Sequence, residues 1–180
     1  QIIADKAIYE SPEGWVNAYE LYKRETKSYN YLVDNLLLKS GISTIYGVED
    51  TGKSQLALFL LLKVVGDNDF LGKKINAKHK KVLLITTEDQ EEDIEVRLRN
   101  MVNNSDYLPD SLKRVHTRYS AKDIIPYIKK FVSKQKVDLV VIDCFGDIFP
   151  HDLKQLNHTR VWLQDFYELT TTHKFHLMFV

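Results

Sequence analysis

The sequence predicts an α/β domain built on a parallel β-sheet with helices on both faces. Three observations predict it. Short apolar segments alternate along the chain with longer segments of helical period, the order expected of strand–helix–strand units with right-handed crossovers. Two of the strand segments, Val82-Leu83-Leu84-Ile85 and Leu139-Val140-Val141-Ile142, are continuous apolar runs. Strands buried on both faces read this way, whereas half-exposed strands alternate. A glycine-bearing turn, Gly47 to Ser54, joins a β-rich run directly to an apolar helical run.

The elements follow in order. Residues 1–28 read as a short helical N-terminal segment and residues 29–180 as the α/β core. Ser11 suits a helix cap, Pro12 a first helical position, and Trp15, Tyr19 and Tyr22 fall on one helical face. A second short helix is predicted from Tyr31 to Lys39, broken by Ser40-Gly41. Ile42 to Tyr46 is the first strand and Ser54 to Val65 a buried helix. Lys81 to Thr87 is a strand, and Asp89 is placed to cap a helix through about Val102, with Ile94, Leu98 and Met101 at helical spacing. Arg114 to Thr117 is a weaker strand. Ser120 is placed to cap the next helix, with Ile124, Ile128 and Phe131 inward and Pro126 within its first turns. Val137 to Ile142, a helix from Asn157 to Thr172, and Phe175 to Val180 complete the pattern.

Composition bounds the function. The chain has 180 residues, 44% hydrophobic and 28% charged, the profile of one ordinary globular domain. Lys plus Arg and Asp plus Glu are both 25, so no general field draws the chain to nucleic acid or membrane. A DNA contact must therefore come from a local patch. The single cysteine, Cys144, rules out an internal disulfide and a multi-cysteine metal site, and a reducing cytoplasmic location is the expectation. No apolar run approaches the ~20 residues of a membrane span, so no membrane partner is expected. The chain begins at Gln1 without a methionine and ends at Val180 inside an apolar run, and is read as part of a longer protein truncated at its C-terminus.

Gly47-Val48-Glu49-Asp50-Thr51-Gly52-Lys53-Ser54 matches G-x-x-x-x-G-K-[ST] in full. Such a loop turns several backbone N–H groups toward phosphate oxygens, and the helix that follows presents its positive end to the same anion. Lys53 is assigned to the β- and γ-phosphates of ATP and the Ser54 hydroxyl to Mg²⁺, with Gln55 completing the nucleotide-binding stretch. A chance match in a chain of this length is about a one-per-cent event at average residue frequencies.

Two further elements belong with the loop. The apolar strand Leu139 to Ile142 ends in Asp143, at the strand edge where α/β ligands bind, and Asp143 is assigned to Mg²⁺ through water. Thr86-Thr87-Glu88-Asp89 closes the preceding long strand. Hydrolysis needs a group that orients or deprotonates water in line with the γ-phosphate. Glu88 is assigned as that base and Asp89 as the helix cap, the blander role for both being to decorate a helix N-terminus.

With these three elements placed, the chain resembles the RecA-like P-loop ATPases, closest to the RepA-type hexameric replicative helicases, a group often described as generic AAA-family ATPases of phages and plasmids. The resemblance runs over residues 30 to 180. It is carried by Leu32 to Ser54, Phe70-Leu71-Gly72, the Glu-Asp-Ile-x-x-Arg-Leu pattern within Val82 to Arg99, and Val140 to Val180 with Asn157 and Arg160. It implies Lys53 and Ser54 on phosphate and metal, Glu88 as catalytic base and Asp143 as the second-strand acid. It implies a homo-oligomeric ring or filament with single-stranded DNA as a possible partner, and a loop from Phe145 to Leu156 facing that DNA. It also implies the strand order 114–117, 81–87, 137–142, 175–180, 42–46, with the last strand inserted beside the loop strand. Direct pairing of 42–46 with 137–142 would indicate a kinase or GTPase instead. A nucleotide-dependent regulatory or scaffold ATPase without DNA, and a small-molecule kinase, are the rival functions.

Other residues receive plain structural roles. His173 and His176 straddle a helix end and a strand and lack further ligands at metal spacing. Cys144 reads as a small core residue, Lys78 to Lys81 as a solvated loop, and most of the tyrosines as packing on helix faces.

Overall fold

A computed structural model of the chain describes residues 15–24, 29–66, 68–103, 112–118, 120, 122–148 and 156–180. The Ser11 cap and Pro12 lie outside the described residues, as does most of the loop from Phe145 to Leu156.

Five strands form one parallel sheet: β3 (Gly41–Thr44), β4 (Val82–Thr86), β5 (Val115–Arg118), β6 (Leu139–Asp143) and β7 (His176–Phe179). Their order is β3-β7-β6-β4-β5, the order expected above, with β7 between the loop strand and the acid-ended strand. Side chains of successive strand residues point to opposite faces, so each central strand feeds two cores. Val82, Leu84, Leu139, Val141 and Met178 pack toward α2 (Lys53–Gly66) and α3 (Glu91–Asn103), where Leu61, Val64 and Ile94 are buried. Leu83, Ile85, Val140, Ile142, Leu177 and Phe179 pack on the other face toward α4 (Ile124–Lys134) and α6 (Leu156–His173). There Ile128, Val132, Phe166 and Leu169 close the core. Burial on both faces is the physical reason these strands read as unbroken apolar runs.

The predicted helix over Tyr31 to Lys39 is instead an antiparallel hairpin, β1 (Tyr31–Val33) and β2 (Leu37–Leu38). Asn35 turns it at φ 54°, a left-handed conformation that asparagine tolerates better than most residues. The partners that decide the outcome come from forty residues away. Asn76 N–H donates to Leu32 C=O at 2.8 Å, Asp34 N–H donates to Lys74 C=O at 3.0 Å, and the Asn76 amide donates to the Asp34 carboxylate at 2.6 Å. Long-range pairing of this kind overrides local helix propensity.

Two helix starts also differ from expectation. The helix after β4 begins at Glu91, and Asp93 reaches back to accept the Gln90 N–H at 3.1 Å, so Asp89 does not cap it. Asp89 instead bonds the Arg97 guanidinium at 2.7 Å. Ser120 takes the Lys122 N–H at 3.2 Å within the preceding turn, and α4 starts after Asp123, which sits at φ 51° without a side-chain cap. Pro126 is then the third helical residue, where its missing N–H leaves no helical bond unmade.

Near the N-terminus, α1 (Ala18–Lys23) is capped by Asn17, whose side chain accepts from Tyr19 N–H at 2.8 Å, and it buries none of its residues. Tyr19, Tyr22, Tyr29, Tyr46 and Tyr167 are all exposed, so packing on helix faces does not account for most of the described tyrosines. Two polar anchors hold the core ends. His176, buried on β7, bonds Ser43 Oγ on β3 through Nε2 and meets the Leu38 carbonyl through Nδ1, both at 2.8 Å. Asp138 accepts N–H bonds from Lys78, His79 and Lys80 at 2.8, 2.7 and 2.6 Å, so the basic loop is tied down through its backbone. Among the described residues no helix is long and apolar enough to cross a membrane.

Candidate active site

The C-terminal ends of β3, β4 and β6 converge at one edge of the sheet. Residues 49–55 of the loop line a cleft of about 630 Å³ there with Glu88, Asp89, Arg97, Asp143, Cys144 and Val180. Gln55 is thus part of the cleft wall, as expected. Gly47 and Val48 do not line it and act on the loop's shape. A side chain at Gly47 would press on Thr51 Oγ1 at 3.3 Å, and the Val48 carbonyl accepts from Thr51 Oγ1 at 2.8 Å and from Lys53 Nζ at 2.7 Å. Asp50 at φ 57° and Gly52 at φ 82° give the alternating backbone that turns N–H groups inward as an anion nest. Lys53 begins α2, so the positive end of a fourteen-residue helix faces the same space.

Register brings the acids together. β4 pairs with β6 so that Thr86 lies opposite Asp143. The Ser54 hydroxyl hydrogen-bonds Asp143 across the cleft. The Asp143 carboxyl pKa is raised, first by burial; the Ser54 bond opposes this, Glu88 and Asp89 add to the rise, and Arg97 opposes it. A hydroxyl and a carboxylate in contact at the edge of a phosphate nest are the hard oxygen donors that Mg²⁺ prefers, and a divalent cation there would offset the crowding of carboxylates. The residues present therefore fit the metal.

Thr87 stitches the two strand ends. Its N–H donates to Asp143 C=O at 2.8 Å, its hydroxyl donates to Asp147 at 2.7 Å, and it accepts the Cys144 N–H at 3.2 Å. Asp147 lies on the short helix α5 (Phe145–Ile148). Glu88 is exposed at the cleft mouth, and its carboxylate lies within 4.8 Å of both Cys144 Sγ and Asp147. Cys144 is therefore a half-buried cleft residue and not part of the core. Its thiol pKa is raised by burial first, with backbone bonds from Gly146 and Asp147 opposing and Glu88 adding, which keeps it protonated and a poor metal ligand at neutral pH.

The structure thus gathers Lys53, Ser54, Glu88 and Asp143 around one cleft. Sequence reasoning gave no role to Arg97, which stands eight residues after Asp89 and pairs with it on the cleft wall. Its signal was the Arg of the Glu-Asp-Ile-x-x-Arg-Leu pattern. The Thr87–Asp147 link spans sixty positions and left no sequence signal.

The family described as AAA domain (AAA_25) matches residues 12–180. The chain belongs to this AAA domain family. Its fold is that of the RecA-like P-loop ATPases. Among solved structures, the AAA domain is similar to the crystal structure of the RadB recombinase, with a TM-score of 0.52 and 21% identity. The match covers 78% of this chain and 60% of the RadB chain, so the domain spans less than two thirds of that protein. At this identity the likeness concerns the fold. The comparison with curated proteins gave no match.

Proposed function

We propose that this AAA domain binds Mg-ATP in the cleft and hydrolyses it, with Glu88 as general base, in a DNA-coupled motor of the helicase or recombinase kind. One observation carries the reading. Glu88 stands two residues past the end of β4, the neighbour of the acid-ended β6, and lines the same cleft as Lys53, Ser54 and Asp143. A carboxylate in that place serves a water nucleophile, which a small-molecule kinase does not need. The insertion of β7 between β3 and β6 also argues against the kinase and GTPase arrangement.

The chemistry follows from the residues. Lys53 exchanges the Val48 carbonyl for β- and γ-phosphate oxygens, while the nest around Asp50 and Gly52 donates N–H groups to the same phosphates. Ser54 and Asp143 would hold Mg²⁺, which would supply positive charge to the phosphates. Glu88 accepts a proton from water as its oxygen bonds to the γ-phosphorus, and the bond to the β-phosphate oxygen breaks to give ADP and inorganic phosphate. Arg97 holds Asp89, which keeps that carboxylate from competing for the metal.

The resemblance to ring-forming relatives supports a homo-oligomer in which a neighbouring subunit supplies charge to the transferring phosphate. The name of the structural neighbour, a recombinase, supports DNA as the coupled partner. The second reading is a regulatory ATPase of the same fold without DNA. Steady-state ATP turnover with and without single-stranded DNA separates the two. Stimulation by DNA supports the motor; turnover indifferent to DNA supports the regulatory ATPase; absence of turnover with intact nucleotide binding refutes the hydrolytic reading.

A further inference from the structure

We propose that the sheet edge opposite the ATP cleft is a binding face for the phosphate backbone of duplex DNA. The proposal deepens the DNA-coupled reading above and rests on it. Its basis is the placement of charge. Each of the five parallel strands is entered from a basic residue: Lys39 before β3, Lys174 before β7, Lys136 before β6, Lys81 before β4 and Arg114 before β5, in spatial order. These positions are scattered through the sequence, and only Lys81, at the end of Lys78-His79-Lys80-Lys81, belongs to a basic run. A parallel sheet with crossover helices brings every strand start to one edge, so the fold assembles them into a row. At about 4.8 Å between strands the row spans roughly 19 Å, about half a helical turn of duplex.

Among the described residues few carboxylates accompany the row. The described residues leading into the strands, 39–40, 77–81, 112–114, 135–138 and 174–175, contain one carboxylate, Asp138. Asp138 is buried and already accepts three backbone N–H bonds, which in turn fix exposed Lys78 and His79 on this edge. Lys81 bonds the neutral Gln135 amide at 3.0 Å. The imidazole of His173 reports the local field: burial lowers its pKa first, and the charges of Lys136 and Lys129 lower it further. The opposite edge carries Glu49, Asp50, Glu88, Asp89, Asp143 and Asp147 against Lys53 and Arg97. A formal charge of zero thus conceals a separation of sign between the two edges.

The partner's chemistry follows. A row of cations attracts a polyanion through phosphate contacts and counterion release. Of the exposed large hydrophobics of the described residues, Leu38 and Tyr29 lie beside Lys39 at one end of the row and the other four strand entries carry none, which disfavours an anionic membrane, where apolar insertion accompanies charge along the whole face. Tyr29, beside Asn30 at the Lys39 end, is the one exposed aromatic of the described residues near the row, so single-stranded bases find no run of stacking platforms, and the regular phosphate array of a duplex is the better match.

The test is fluorescence anisotropy of a labelled duplex of about 20 base pairs across a salt series, using the full chain. The triple reversal Lys78→Glu, Lys136→Glu, Lys174→Glu is expected to lower affinity about tenfold or more and to flatten the log–log salt slope by about 2.7, at roughly 0.9 per lost phosphate contact. The triple Lys→Gln variant at the same positions should give the same slope change with a smaller affinity loss. Lys122→Glu, away from this edge, should change neither. Unchanged affinity and slope in both triple variants would overturn the proposal. So would binding to vesicles of about 30% phosphatidylserine without binding to duplex, or binding to neither. ATP turnover measured in the same samples keeps the two claims apart. DNA-stimulated turnover with unaltered binding in the triple variants removes this surface and leaves the motor reading, whereas edge-dependent duplex binding without stimulation removes the motor reading and leaves the surface.

Discussion

His176 should make the fold acid-labile over a defined window. The ring is buried on the central strand β7, and burial lowers its pKa from 6.5 to about 4, against a small opposing effect of the Leu38 carbonyl. Leu38 C=O can only accept, so Nδ1 carries the proton and Nε2 accepts from the Ser43 hydroxyl. A second proton would turn Nε2 into a donor facing Ser43 and place a charge in the core. The unfolded chain takes up that proton at about 6.5 and the folded chain does not until about 4. Stability is therefore fully present above pH 6.5 and declines as pH falls toward 4. The two pKa values give a loss of about 2 kcal/mol by pH 5 and about 3 kcal/mol in the limit. Urea unfolding at pH 7, 6 and 5 on the wild type and on His176→Asn isolates the effect, because other titrating groups cancel in the difference. Wild type should lose its advantage over the variant by about 2 kcal/mol between pH 7 and 5. Parallel curves for the two proteins would refute the assignment.

Other perturbations have equally direct readouts. Lys53→Ala should remove most affinity for a labelled ATP analogue while leaving the fold intact, since its Nζ touches only the Val48 carbonyl at 2.7 Å in the described hydrogen bonds; unchanged affinity in a titration would mean the loop is not the site. Gly52→Ala meets no atom within 4 Å but must hold φ 82°, so denaturation should show a loss of about 1–2 kcal/mol from backbone strain alone. Asp138→Asn keeps the shape but replaces one of two accepting oxygens by a donor NH2, so at least one of the three N–H bonds is lost, and it should cost about 2–4 kcal/mol by the same method, with no change in ATP affinity.

What was legible in the sequence had its cause nearby in the chain. β4 and β6 announced themselves because burial on both faces demands unbroken apolar runs, and the phosphate loop because its glycines, lysine and serine must be contiguous. Asp143 was legible because it ends a strong strand, and Glu88 because it follows one by two residues. The hairpin at 31–38 was not, because Leu32 and Asp34 find their backbone partners at Asn76 and Lys74. Asp89 was misread as a cap because its partner, Arg97, lies two helical turns away and competes with the helix N-terminus for the carboxylate. Cys144 was misread as core because only the cleft geometry sets it beside Glu88. The basic edge was hidden for the same reason: Lys39, Lys81, Arg114, Lys136 and Lys174 become neighbours through topology alone.

Hydrolysis of Mg-ATP with Glu88 as base stands or falls with Glu88→Gln. The amide keeps the size and hydrogen-bonding reach of the side chain but cannot take the proton. Mg-ATP affinity and turnover should be measured together on wild type, Glu88→Gln and Asp89→Asn. Glu88→Gln should keep its affinity and lose turnover by about 10²-fold or more, the usual scale for loss of a general base. Turnover unchanged in Glu88→Gln but abolished in Asp89→Asn would contradict it and move the base one residue along the chain.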